Sequence, residues 1–257
     1  MPRLQGTALR AFSLVLPWGL RRRLLNRVFG FEIDPEARIG LSWTFPRKLV
    51  MGPGSRIGHL TMMRSLEEVR MGPYALIGDM NWITDNLAGF EGPVDAEHIG
   101  GRRPCLELGE FAVITARHYF DCSDAIEIGD RTSIGGLRSQ FMAHSFDFDE
   151  MVQDCAPIRI GRNSFVGTGC LLLGGSALPD NALLAAGSVL VNEQTEQFAL
   201  YAGSPATKKR QCDPEMGFFH RSDEWMLKSR SAYRRLDPKP RRRSRVRLRR
   251  RARRRAS

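Results

Sequence analysis

The apolar positions of the C-terminal half recur every six residues. Ile160, Val166, Leu172, Leu178, Leu184 and Leu190 hold one phase, and the residue four after each of the first five is small: Ser164, Cys170, Ser176, Ala182 and Ser188. The position after the apolar residue is often Gly or Ala in the same run, as at Gly161, Gly167 and Ala185. A helical face repeats at three and four residues, so this pattern excludes a helix. The phase runs earlier through Leu108, Ile114, Phe120 and Ile126, and it restarts at Ile128 and Ile134. Shorter traces are Ile33 with Ile39, Met51 with Ile57, and Met71, Ile77 and Ile83. A period of six predicts a short strand and a tight corner, repeated. The apolar residue points inward, and the small one fits the corner, where a large side chain would meet the next coil. Three such units close a triangular coil of about eighteen residues, and stacked coils make an all-β solenoid, a parallel β-helix. The irregular strands of a β-sandwich would not hold such a phase.

Two stretches break the repeat. Residues 86–104 (NLAGFEGPVDAEHIGGRRP) are rich in Gly and polar residues, and residues 139–157 (SQFMAHSFDFDEMVQDCAP) carry a histidine among acids and aromatics. Both are expected to be loops, and loops on a rigid scaffold are where chemistry usually sits. The ends differ from the middle. Leu14 to Phe31 (LVLPWGLRRRLLNRVFGF) predicts a short amphipathic helix that caps the open strand edge of the solenoid. Arg21, Arg22 and Arg23 give it a second reading, at a membrane surface. His220 to Leu236 predicts another helix. The expected division is therefore a helical segment 1–32, a β-helix domain 33–206, a helical extension 207–237 and a disordered tail 238–257.

Charge changes the picture only at one end. The 257 residues include 39 Lys plus Arg and 28 Asp plus Glu, a formal net charge of +11. From Pro238 onward there are eleven Arg, one Lys and no acid, which leaves 27 basic against 28 acidic residues in Met1 to Asp237. The body is about neutral and is not a basic nucleic-acid-binding domain. The tail reads either as a solvated, disordered block or as a non-specific binder of polyanions whose affinity falls with salt. The apolar run AFSLVLPWGL has ten residues, about half of what a bilayer span needs, and Pro17 breaks it. No transmembrane segment and no secretory signal are expected. Cys105, Cys122, Cys155, Cys170 and Cys212 are odd in number and irregular in spacing, which argues against a disulfide framework or a zinc ribbon. A cytoplasmic location follows, with a peripheral position at the inner membrane surface as its variant.

The stretch PIRIGRNSFVGTGCLLLGGSALPDNALLAAGSVL, followed by LYAGSPATKKR, resembles the hexapeptide-repeat acyltransferases, and within them the sugar and polysaccharide O-acetyltransferases. The resemblance covers roughly Ile33 to Arg210. It implies a left-handed parallel β-helix, a homotrimer with active sites between neighbouring subunits, acetyl-CoA as co-substrate and a small-molecule or saccharide acceptor. An acceptor hydroxyl attacks a thioester in such chemistry, so a positioned base and donors for the oxyanion are needed, and no covalent enzyme intermediate.

On that resemblance, His144 is the general base, with a surface loop histidine as the plain alternative. Arg117 and His118 stand near where these enzymes usually carry an Asn, and His118 is either a second active-site residue or structural. Asp121 either orients one of the imidazoles or caps a corner. Ser139 and Gln140 are candidates for acceptor binding. Coenzyme A is expected along Gly167, Thr168 and Gly169, along Ala186 and Gly187, and at the exit turn of Gly203 and Ser204, although the repeat alone already demands small residues there. Lys208, Lys209 and Arg210 offer cations to its phosphates. A Thr-Lys pair common after the AGS segment is Val191 and Asn192 here. No metal is expected. The zinc-dependent carbonic anhydrases of this fold need two His with four residues between them, and His59, His98, His118, His144 and His220 contain no such pair. The long helical N-terminal domain and DHATG-like segment of serine acetyltransferases are also missing. A nucleotide-sugar acyltransferase stays open, as does a non-catalytic scaffold whose tail binds polyanions.

Overall fold

A computed structural model describes residues 3–90 and 100–229. Three long sheets run the length of the molecule. Face A has seven strands, from Glu32–Ile33 to Ala177–Leu178. Face B has nine, from Arg38–Ile39 to Ala206–Gln211, and face C has seven, from Trp43–Phe45 to Val189–Leu190. Neighbouring strands are parallel except in the last pair of face B. The chain visits A, B and C in turn. One circuit is Ile126–Ile128, Ser133–Leu137, Gln140–Met142 and then Ile158–Ile160 back on face A. The observed architecture is thus the expected all-β solenoid, a parallel β-helix with short helices at its ends.

The hexad residues stack in register. Face C sets Met63, Ile83, Phe120, Phe141, Leu172 and Leu190 in one buried column, with Phe120 and Phe141 stacked at 4.4 Å between ring centroids. Faces A and B carry equivalent columns through Met71, Leu108 and Ile128 and through Ile77, Ile114 and Ile134. The two-residue restart at Ile128 has a simple cause. Strand residues alternate between faces, so Ile126 and Ile128 both point inward while Glu127 points out.

Corner residues hold the coils together. Ser164 is fully buried; its hydroxyl donates to the Pro179 carbonyl at 2.8 Å and accepts from the Ala182 N–H at 3.0 Å. Gly161 has no room for a side chain, since a Cβ there would lie 2.4 Å from the Asp180 nitrogen. Asp79, Asp130 and Asp180 each accept a backbone N–H from the coil before, from His59, Glu110 and Arg162 at 2.7, 2.7 and 2.6 Å.

The single helix expected over Leu14 to Phe31 is two, α1 (Arg3–Val15) and α2 (Trp18–Val28). Pro17, which lacks an N–H and sits at φ −53°, ψ 141°, ends one and starts the other. α2 closes the first coil. Leu25 joins the core, and the buried Arg21 donates to the carbonyls of Gly40 (2.8 Å) and Ser42 (3.0 Å). Asn26 exchanges two hydrogen bonds with the backbone of Ile33. These contacts satisfy the open edge. At the other end, Ala199–Gly203 and Ala206–Gln211 pair antiparallel through a cis Ser204–Pro205 bond, so the β region extends past Ala206. A 3-10 turn, Gly217–His220, precedes α3 (Asp223–Ser229), which begins three residues later than expected from His220. The remainder of that expected helix and the 238–257 tail lie outside the described residues. Among the described residues no helix is long and apolar enough to cross a membrane.

Candidate active site

The second break in the repeat is not an irregular loop. Gln140–Met142 is still a strand of face C, and only then does the chain leave the coil, as an antiparallel hairpin of His144–Asp147 and Val152–Cys155. His144 is the hairpin's first residue. It follows the strand that pairs with Tyr119–Asp121, and this register sets Asp121 beside it. Asp121 Oδ2 contacts His144 Nδ1. The other oxygen, Oδ1, accepts the Ser123 N–H at 3.1 Å and the Ser123 hydroxyl at 2.6 Å. The carboxylate is fully buried, whereas the His144 side chain keeps 27% of its surface. A carboxylate on Nδ1 fixes the proton on that nitrogen and leaves the Nε2 lone pair available. Burial lowers the His144 pKa, and the negative charge of Asp85 works against that lowering. At neutral pH the imidazole is therefore a neutral base.

A second ion pair, with a buried carboxylate, lies at the same corner. Asp85 Oδ2 meets Arg102 Nη1 at 2.9 Å, and Arg102 also donates to the Ser123 carbonyl at 2.9 Å. Asn86 donates its N–H to the Ser123 hydroxyl (3.2 Å) and its side-chain amide to the Tyr119 hydroxyl (2.8 Å). Asp85, Asn86, Arg102 and Tyr119 were not singled out by sequence. A signal existed. Asn86, Ser123 and His144 each lie three residues after an inward residue of face C, namely Ile83, Phe120 and Phe141, so they share one corner.

Cys155 is paired with His144 across the hairpin, which raises the question of a Cys-His nucleophile. Burial pushes the Cys155 thiol up to about 11, and it pushes Cys105 to about 12 and Cys122 well above its usual value. These thiols stay protonated at neutral pH, so no thiolate stands beside the imidazole.

His118 is not brought to His144. It lies in the corner between faces B and C, whereas His144 lies in the corner between C and A. Both its ring nitrogens are engaged. Nδ1 accepts the Ser139 N–H at 3.1 Å, and Nε2 lies 2.9 Å from the Thr115 hydroxyl, which itself sits 2.6 Å from the Gly136 carbonyl. Burial pushes the imidazole down to about 4, with the Gly136 carbonyl working the other way. This is a neutral histidine that ties two coils together. The acceptor-binding expectation for Ser139 also meets a correction: the residue is fully buried, and its hydroxyl bonds the Gly167 carbonyl at 3.1 Å. Gln140 is exposed on the outer side of face C, in register with Tyr119 and Leu171.

The residues expected to meet coenzyme A form a ridge along the B–C edge, one corner per coil. Gly169 N–H bonds the Leu137 carbonyl, and Gly187 N–H bonds the Thr168 carbonyl, both at 2.9 Å. Thr168, Gly169, Ala186 and Gly187 are exposed, and a Cβ on Gly169 or Gly187 would meet nothing within 4 Å. Space for an approaching chain lies directly outside these backbones. Gly167 differs: it is buried, and a Cβ there would lie 2.5 Å from the Ala186 nitrogen, so its smallness serves coil stacking. Gly203 and Ser204 are exposed in the final turn. Lys208 is not a free cation, because Glu196 pairs with it; Arg210 is exposed with no ion pair among the described residues. The ridge and the His144 corner border opposite edges of face C, so one chain does not join them.

No protein-family model matches the chain, and no curated protein matches it. Solved structures are similar in fold. They include a hexapeptide-repeat-containing acetyltransferase from Vibrio cholerae (17% identity, TM-score 0.43, covering 82% of this chain and 90% of that one). A hexapeptide transferase family protein from Anaplasma phagocytophilum matches at 16% identity and a TM-score of 0.39, over 78% of this chain and 91% of its own. A maltose O-acetyltransferase from Clostridium difficile matches at 13% identity and 0.33, over 82% and 86%.

Proposed function

We propose that the chain is a cytoplasmic acyltransferase that moves an acetyl group from acetyl-CoA to a hydroxyl of a sugar or polysaccharide precursor. The observation that carries this reading is the contact of the buried Asp121 carboxylate with the half-buried His144 imidazole. Acetyl-CoA supplies the activated acyl group. His144 Nε2 takes the proton of the acceptor hydroxyl as its oxygen bonds to the acyl carbon. The C–S bond then breaks, and the same proton passes from the imidazolium to the departing thiolate, so nothing remains on the protein. Asp121 holds the imidazole by Nδ1–H and stabilises the imidazolium, which forms only during transfer. General-base assistance of this kind contributes about 10² to 10⁴ in rate.

Acetyl-CoA would lie along the exposed ridge of Gly169, Ala186 and Gly187, with Arg210 and Lys209 near the phosphates. That ridge and His144 border opposite edges of face C, which supports a homotrimer in which the ridge of one subunit faces the histidine of the next. The outer column of face C supports a saccharide acceptor. Trp82, Tyr119 and Gln140 stand in register there, aromatic surface beside hydrogen-bonding groups, and Asn86 links this column to the His144 corner.

Incubation with acetyl-CoA and a panel of mono-, oligo- and polysaccharides, followed by free thiol, tests the proposal. Acceptor-dependent thiol release with an acetyl ester on the acceptor is expected. Release no faster than the acceptor-free background with every member would contradict it, and would leave the scaffold reading standing.

A further inference from the structure

The N-terminal helices bury and expose the wrong residues for a simple cap. α2 buries Arg21, whose burial lowers its pKa to about 10, and exposes Leu20 at 53%. α1 turns Ser13 inward and lays Arg10 over the rings of Phe29 and Phe45, at 5.9 and 5.2 Å, while Phe12 is 57% and Val15 76% exposed. Ala8, Phe12 and Val15 are spaced by four and three, so they share one outward face of α1, joined by the exposed Ala11. The outward face of α2 carries Leu20, Arg23 and Arg27 at spacings of three and four, with Val28 beside them. The first 31 residues contain six arginines and no acidic residue.

We infer that α1 and α2 form a docking surface for an anionic phospholipid membrane, with the solenoid standing off it. The exposed apolar face of α1 would enter the boundary between headgroups and acyl chains, and Arg23 and Arg27 would meet lipid phosphates. The charge selects the occupant. A second copy would oppose an acid-free, cationic surface to its own like. A nucleic acid would meet the arginines but leave Phe12, Val15 and Leu20 in water. An interfacial membrane satisfies both kinds of group. This inference is independent of the acyl-transfer chemistry.

Flotation of the full chain with vesicles tests it. Phosphatidylcholine vesicles are compared with vesicles of equal parts phosphatidylcholine and phosphatidylglycerol, at low salt and at about 1 M salt, where charges are screened beyond about 3 Å. The Arg tail adds binding that salt removes, whereas insertion of apolar side chains survives salt. The expected result is flotation with the anionic vesicles, part of it resistant to salt. Phe12→Ser with Val15→Ser should lower that resistant part by about tenfold or more. Leu20→Ser should lower it less, and Arg23→Gln with Arg27→Gln should lower the low-salt part. All these residues are exposed, so circular dichroism and melting temperature should match the parent. No flotation, flotation abolished entirely by salt, or flotation indifferent to Phe12→Ser with Val15→Ser would each overturn the inference. So would a reduced sedimentation mass of that variant in the absence of lipid, which would make the surface a contact between copies.

Discussion

Two histidines illustrate how surroundings assign roles. His118 has both ring nitrogens occupied inside the protein, and His144 has one nitrogen held by a buried carboxylate and the other unbonded among the described residues. The proposal therefore predicts that His144→Ala lowers kcat by about 10² to 10⁴ while acetyl-CoA binding stays unchanged. Asp121→Asn should lower kcat with KM unchanged, because Asp121 acts through the imidazole. The lowered His144 pKa gives the sign of the pH dependence. The neutral base is lost as pH falls, so kcat/KM should drop on the acid side with an apparent pKa below 6.5 and stay level above it. Cys155→Ala should leave kcat unaltered, since its thiol is protonated at neutral pH. His118 should show itself in stability instead. Its folded pKa of about 4 lies below the unfolded value of 6.5, so the unfolded state binds the proton first. Stability should fall by about 3 kcal/mol as pH falls from 6.5 to 4 and then level off, and His118→Gln should flatten that slope in denaturant titrations.

At the scale of elements, the solenoid was legible because its physics is periodic. A six-residue repeat of inward apolar and small corner residues leaves one way to stack, and the register of Phe120 on Ile83 and Phe141 follows from it. Truncating this column is expected to cost about 3 to 5 kcal/mol for Phe120→Ala or Phe141→Ala, read as a lower unfolding midpoint. What departs from the repeat was harder to place. Pro17 divides one expected helix into two because the sequence span crossed it, although proline's missing N–H is visible in the sequence. The hairpin after Met142 reads as a loop in the sequence since its alternation is short and polar, and only the pairing of His144 with Cys155 reveals it. Ser139 looked available because it borders that break. Its burial comes from its position at the corner between faces B and C, where the small residue must point between coils.

For the whole molecule, the candidate site was half legible. His144 and Asp121 are 23 positions apart, and one coil of the helix brings them into contact. Asp85 precedes the first break, Arg102 lies near its end, and they meet through the fold rather than through any sequence motif. The exposed glycine ridge and the histidine corner lie on opposite edges of face C, so assembly is where the proposal is most exposed. Sedimentation equilibrium is expected to give three times the 29.0 kDa chain mass. A monomer with full activity would remove the argument for a shared site. The central claim, that His144 is the base of acetyl transfer, is tested most directly by comparing the parent with His144→Ala in acceptor-dependent release of coenzyme A thiol, with acetyl-CoA binding measured on both by thermal shift. Equal shifts with turnover lowered by two orders of magnitude or more is the predicted result. Equal shifts with equal turnover would contradict the claim.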